Sequence, residues 1–218
     1  IDNEYSDAHD HLYWNNDADN YKYDIRDYEN TRPLYDGIDY VFHLAAEARI
    51  QPAILNPIGA ISINSVGTCT VLQCAREAKV KKLMYSSTSA AYGMNSQPNV
   101  ETQPDDCLNP YSVSKVNGEK LCKMYTDLFG LDTVIFRYFN VYGERQPVRG
   151  QYAPVIGIFL RQLASGELLT IVGDGQQRRD FTYVKDIVNA NIMVAISNAD
   201  KEAYGQVYNV GSGINYSI

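Results

Sequence analysis

Short apolar or β-branched runs recur along this chain, separated by stretches with helical spacing, and that alternation restricts the fold more than any other feature. The runs are Tyr40 to Ala45, Lys82 to Ser87, Thr133 to Tyr138, Leu169 to Val172 and Val207 to Val210. Several are nearly continuous in apolar residues, as strands buried on both faces must be. The helical stretches are Pro57 to Ala78, Pro110 to Leu128, about Ala153 to Ala164 and about Asp186 to Ser197. Strands alternating with helices of about 12 to 20 residues imply an α/β protein with a doubly wound parallel sheet. The second helix is the best defined: Asn109 is an N-cap, Pro110 sits at the first helical position and Gly130 follows the end. Its residues Val113, Val116, Leu121, Met124 and Leu128 follow helical spacing and predict a buried stripe.

A length of 218 residues suits one large domain, or a domain with a smaller lobe. The net charge of -7 and scattered basic residues exclude a nucleic-acid surface. The densest basic run, Lys79-Val80-Lys81-Lys82, reads as the solvated end of a helix. Cys69, Cys74, Cys107 and Cys122 show no CxxC spacing, so a reduced intracellular, cytoplasmic protein is expected. No run of about 18 apolar residues is visible, so no membrane association is expected. The chain opens in mid-pattern on Ile1 and reads as a piece cut at both ends. His9-Asp10-His11 is a poor metal site, with two histidines at i and i+2 and no third ligand; no metal is expected.

The chemistry gathers at strand ends. Tyr111 and Lys115 lie four residues apart at the start of the second helix, on one face. There an ammonium can lower the pKa of a phenol and make it a usable base. Among 18 tyrosines and 9 lysines, chance supplies about 0.7 such pairs, so the spacing alone is weak. Its surroundings add weight. Ser86-Ser87-Thr88-Ser89 ends one strand, Phe42-His43-Leu44-Ala45-Ala46 ends an earlier one, and Arg137-Tyr138-Phe139-Asn140 ends a later one. The carboxyl ends of parallel strands are where open α/β sheets bind ligands. Gly173-Asp174-Gly175 marks a turn, and Gly211-Ser212-Gly213 suits either a turn or a phosphate loop. No G-x-G-x-x-G occurs.

Taken in order, these segments, with Tyr92-Gly93, Asn109-Pro110-Tyr111, Arg179-Asp180-Phe181 and Tyr208-Asn209-Val210-Gly211, resemble the extended short-chain dehydrogenase/reductase family and its nucleotide-sugar 4-epimerases. The resemblance covers nearly the whole chain. It implies a Rossmann-like domain from residues 1–143 and 181–212, and a small substrate-binding lobe from 144–180 and 213–218. It also accounts for the missing glycines, because the family's Gly-rich loop lies ahead of the second strand. Ile1-Asp2-Asn3 looks like the tip of that strand, so roughly thirty residues of the domain would precede it.

The implied cofactor is NAD. The resemblance assigns it Asp2 and Asn3 at the adenosine ribose, Asp24 and Ile25 at the adenine, then Leu44, Ala45, Ala46, Asn64, Ser86 and Tyr138, with Tyr111 and Lys115 at the nicotinamide end. By the same resemblance Tyr111 is the base, Lys115 its partner, and Thr88 holds the reacting oxygen. Ser89, Asn140, Tyr152, Thr170, Val172 and Arg179 would contact a nucleotide sugar, Arg179 through its planar fork at the diphosphate. Plain strand core is an equal alternative for Thr170 and Val172. The family's dehydratases carry an Asp-Glu pair where this chain has Ser89-Ala90, and its decarboxylases keep a Glu there, which disfavours dehydration. UDP-glucose or UDP-N-acetylglucosamine is the expected substrate. A UDP-uronate or GDP-sugar enzyme, or a silent NAD-binding protein, is the alternative. The resemblance further implies a homodimer formed by helices such as Pro57 to Ala78 and Pro110 to Leu128.

Overall fold

The computed structural model describes residues 1–5, 13–148 and 153–218. A four-stranded parallel sheet forms the centre, with spatial order β1-β2-β3-β7 for β1 (Tyr40–His43), β2 (Lys82–Thr88), β3 (Thr133–Tyr138) and β7 (Gln206–Val210). Each parallel step is bridged by a helix, as parallel pairing requires. Between β1 and β2 run α2 (Ile50–Leu55), α3 (Pro57–Ile61), a π-helical turn (Ser62–Val66) and α4 (Gly67–Glu77); the last three form one continuous helix. Between β2 and β3 runs α5 (Pro110–Phe129), and between β3 and β7 runs α7 (Val184–Ile196). A short α1 (Tyr28–Thr31) precedes β1, and α6 (Val155–Ala164) lies between β3 and α7 along the chain.

Alternation along the strands builds two cores. Leu83 and Tyr85 of β2 and Ile135 of β3 face one side, packed with Leu72 and Ala75 of α4 and Cys122 and Tyr125 of α5. Met84, Val134 and Phe136 face the other, against Ala195 of α7 and Tyr204. Helices on both faces make the sheet doubly wound, and every residue of β2 is buried. Four of the five expected strands are present. The exception is Leu169 to Val172, which pairs with no strand. Its apolar side chains are exposed, Val172 at 78%, and the side chain of Gln162 takes the Thr170 backbone N–H in place of a ladder partner.

Three further expectations change. Lys82 is not at a solvated helix end: it is 8% exposed, and its ammonium donates to the carbonyls of Val194 (3.0 Å), Ala195 (3.2 Å) and Ser197, capping the C-terminus of α7. The apolar stripe of α5 is not its buried face throughout. Val113 and Leu128 are exposed, whereas Ser112, Ser114, Lys115, Gly118 and Glu119 are buried. The helix Pro57–Glu77 has a mean hydropathy of 1.3 and is long and apolar enough to cross a membrane. Here it packs as a core helix against α5 and the sheet.

Beyond the sheet, β4 (Val141–Tyr142) pairs with β6 (Thr182–Tyr183), and β5 (Arg178–Asp180) forms an antiparallel ribbon with β8 (Asn215–Ser217). The sequence did not point to either pair.

Candidate functional site

The end of β2 and the first turn of α5 bring the three central residues together. A capping box starts α5: Asn109 Oδ1 accepts from the Ser112 N–H at 2.9 Å, and Ser112 Oγ accepts from the Asn109 N–H at 3.3 Å. Tyr111 is thereby fixed in the first turn, where the Thr88 side chain is close enough to act on its phenol. Thr88 Oγ1 also accepts from the Ala90 N–H at 3.1 Å. One turn on, Lys115 is 3% exposed, and its ammonium stands 4.4 Å above the Tyr85 ring.

The closeness of Tyr85 depends on Gly118. A Cβ at that position would lie 2.1 Å from the Tyr85 hydroxyl, and that hydroxyl donates to the Lys115 carbonyl at 3.2 Å. A helix-interior glycine costs about 1 kcal/mol relative to alanine. This one permits the contact that seats the lysine.

The electrostatics differ from the sequence expectation. Burial pushes the Tyr111 phenol above its ordinary value and outweighs the lowering effect of Thr88. Lys115 faces Tyr85 and is not the group that sets Tyr111 here. Burial likewise lowers the Lys115 amine to about 8, against the opposing effects of Cys122 and Glu119. His43 lies 5.5 Å from Tyr85, and its Nε2 is 2.9 Å from Thr68 Oγ1. Burial and then the Lys115 charge hold its imidazole down at about 3, so it is neutral.

On one side, a groove is lined by Asp2, Ile25, Leu44, Ala45 and Ala46. Asp2 is held by its backbone N–H to the Tyr21 carbonyl at 3.1 Å. Asn3 donates to Asp24 at 3.1 Å, and the paired Arg26 guanidinium brings the Asp24 carboxyl down to about 2. The groove has a carboxylate at its rim and small residues along its floor, which suits a dinucleotide whose ribose offers hydroxyls and whose rings lie flat. Ile25 serves both the groove and the core, where it presses on Gly67. Asn64 is not in the groove's lining. It is 1% exposed and fully engaged: Oδ1 accepts from the Glu47 N–H (2.7 Å), and Nδ2 donates to the Glu47 carbonyl (3.0 Å) and Ser114 Oγ (2.8 Å). It therefore anchors the segment after Ala46. Ser86 and Tyr138 meet at the strand ends, with Ser86 Oγ donating to the Tyr138 hydroxyl at 3.4 Å.

On the other side lie two grooves, one lined by Thr170, Val172, Phe159 and Phe181, the other by Ser89, Tyr92 and Asn99. Asn140 and Arg179 line both. Asn140, at φ 29°, donates to the Asp180 carbonyl at 2.8 Å. Thr170 is tied to Gln162 at 2.8 Å, which answers its strand-core alternative: it sits at a groove wall without being in a strand. Tyr152 and His9-Asp10-His11 lie outside the described residues. Gly211-Ser212-Gly213 is no open phosphate loop, because the Asp180 carboxylate takes the N–H groups of Ser212 (2.9 Å) and Gly213 (2.8 Å).

Sequence reasoning missed a buried polar cluster beneath the site. Glu119 Oε1 accepts from Ser87 Oγ and from Arg137 Nε (2.9 Å), and its Oε2 accepts from Arg137 Nη2 at 2.6 Å. Arg137 Nη2 also reaches Asp105 at 2.7 Å. The available signal was Glu119 four residues beyond Lys115, on the face that carries the pair. Among the described residues, no group of three or more His, Cys, Asp or Glu side chains is placed to hold a metal.

Residues 3–211 match the model of the NAD dependent epimerase/dehydratase family. The chain is 35% identical over 198 residues to a putative UDP-glucose 4-epimerase of Methanocaldococcus jannaschii, covering 89% of this chain and 63% of that protein. It is 38% identical over 202 residues to a UDP-N-acetyl-alpha-D-glucosaminuronate decarboxylase of Bacillus cytotoxicus, covering 89% and 60%. Among solved structures, the UDP-glucose 4-epimerase of Thermotoga maritima with UDP-glucose matches at a TM-score of 0.87 and 32% identity, covering 94% of this chain and 66% of that one. The chain spans about three-fifths of the length of the curated relatives it matches. With a doubly wound sheet and a match over nearly its full length, this chain belongs to the NAD dependent epimerase/dehydratase family.

Proposed function

We propose that this chain carries the catalytic core of a nucleotide-sugar 4-epimerase acting on UDP-glucose or UDP-N-acetylglucosamine. The observation that carries the reading is the placement of Tyr111 and Lys115 one helical turn apart at the start of α5, with Thr88 at the end of β2 close enough to act on the phenol. Thr88 adjoins Ser89, which lines the groove shared with Asn140 and Arg179. NAD, held by Asp2, Ile25 and the Leu44–Ala46 floor, supplies the acceptor and donor of the C4 hydride. Tyr111 takes the proton of the 4-hydroxyl and later returns it, while Thr88 orients that oxygen.

Bringing a phenol from pKa 10 to about 7 requires roughly 4 kcal/mol of preference for phenolate. Burial raises Tyr111 above its ordinary value, so the requirement is larger still. It would fall on the Lys115 ammonium together with the positive nicotinamide ring of bound NAD, since charges act strongly at such a buried site. Arg179 offers the diphosphate a bidentate partner. The absence of a carboxylate at Ser89-Ala90 supports epimerisation over dehydration or decarboxylation. Exposed Ile58, Val66, Val113 and Leu128 on α3–α4 and α5 support a homodimer built on those helices.

The test is to incubate the full-length gene product with a panel of UDP- and GDP-sugars and separate the products. A C4 epimer of UDP-glucose or UDP-N-acetylglucosamine is expected; no C4 epimer from any UDP-sugar would sink the reading. Tyr111→Phe should lower kcat by roughly 10³-fold and leave NAD binding intact.

A further inference from the structure

The proposed chemistry uses Thr88, Tyr111 and Lys115 and leaves the cluster below them unexplained. Glu119 is 5% and Arg137 3% exposed, and burying charge to that degree is costly unless each is paired. They are paired bidentately. The cluster also joins three elements that must stay in register: Ser87 on β2, Glu119 on α5 and Arg137 on β3. Ser87 adjoins Thr88, and Glu119 lies one turn beyond Lys115. Building on the epimerase reading, we propose that Glu119 is a positioning residue: through Ser87 and Arg137 it fixes the end of β2 against α5, and so holds Thr88, Tyr111 and Lys115 in one geometry.

The charges facing Lys115 give this role a signature. The titratable groups that face or electrostatically couple to it are His43 from β1, Tyr85 from β2, and Glu119 and Cys122 from its own helix. The His43 imidazole, held down at about 3, is neutral near pH 7, and burial pushes the Tyr85 phenol and the Cys122 thiol up, so both stay protonated. Glu119 is thus the carboxylate in this group that favours the charged amine. Without it, the Arg137 guanidinium stays nearby and Lys115 has no opposing charge among these groups. The sign follows: losing the Glu119 charge lowers the Lys115 midpoint, so the ammonium that supports phenolate disappears at a lower pH.

Three variants of the full-length gene product test this: Glu119→Gln, Glu119→Asp and Ser87→Ala. Lys115 titration is followed by nitrogen-15 NMR of labelled lysine, its signal identified with Lys115→Met. Glu119→Gln should lower the Lys115 midpoint by about one pH unit. It should also cut kcat about tenfold with KM unchanged, and move the alkaline limb of kcat down. Glu119→Asp should restore the midpoint, and Ser87→Ala should lower kcat about threefold without moving it. An unchanged Lys115 midpoint in Glu119→Gln, with only Tm reduced, would overturn the proposal. Should Glu119→Gln fail to fold, Ser87→Ala decides: unchanged kcat overturns the proposal, and a fall in kcat at constant KM supports it. If the parent turns over no nucleotide sugar, the epimerase reading fails, while the Lys115 midpoint still decides the role of Glu119.

Discussion

The two sides of the site are held by different means. Around Tyr111 and Lys115, every residue of β2 is buried, and buried hydroxyls, a carboxylate and a guanidinium join strands to helix. Around Arg179, the ribbon β5–β8 is short, every residue of β8 is exposed, and Val172 in the same groove is 78% exposed. Atoms that must meet within a few tenths of an ångström sit where packing and buried polar pairs leave one arrangement. The groups proposed to recognise a nucleotide sugar sit where one substitution disturbs little else. This division lets one fold keep its chemistry while its ligand side varies.

The largest expected difference comes from exchanging the two arginines. Arg137→Met should destabilise the protein by about 3–5 kcal/mol, because it leaves Glu119 buried without its partner. Arg179→Ala should change stability by less than about 0.5 kcal/mol and raise KM for the nucleotide sugar roughly tenfold. Denaturant unfolding and steady-state kinetics read both. Equal stability losses for the two would erase the contrast. Lys82→Met probes the sheet side alone: losing the cap on α7 should cost about 1–3 kcal/mol in the same unfolding experiment, with KM unaffected.

The smallest effect concerns Asp24, next in sequence to Ile25 of the groove proposed for the dinucleotide. Its pair with Arg26 depresses the carboxyl from 3.8 to about 2. A depressed pKa contributes stability above about pH 4 that is lost as pH falls toward 2. Both side chains are partly exposed, so the contribution is about 1 kcal/mol or less. Unfolding measured against pH in the parent and in Asp24→Asn should differ only above that window.

The elements legible in the sequence were those whose burial follows a period. β1, β2, β3 and β7 announce themselves as apolar runs, and α5 through Asn109, Pro110 and Gly130. Leu169 to Val172 has the same local composition as a strand, but a strand also needs a neighbour, and composition cannot supply one. The ribbon of Arg178–Asp180 and Asn215–Ser217 carries no strand signal, since its pairing rests on Arg178 and Asp180 reaching across to Asn215, Ser212 and Gly213. Tyr111 and Lys115 could be singled out because their spacing is local, and Thr88 only through the family resemblance of the strand end that carries it. Glu119, Ser87 and Arg137 are separated by 18 to 50 residues, and a buried charge in a helix reads as a solvated one until its partner is known. The lowered phenol pKa was misjudged for a related reason: spacing reveals a neighbouring charge but not the burial that opposes it.

The π-helical turn at Ser62–Val66 gives the long helix a phase error. At Gly67, the backbone N–H reaches back five residues to the Ser62 carbonyl, so the helix holds one residue more than its turns require. Asn64 sits within that surplus, bonded to Glu47 and Ser114. Deleting one residue there would leave a sound α-helix but rotate everything before it by about 100° relative to everything after it. The register between the segment following β1 and the helix bearing Tyr111 is thus written as a count of residues, and it is more vulnerable to a deletion than to most substitutions.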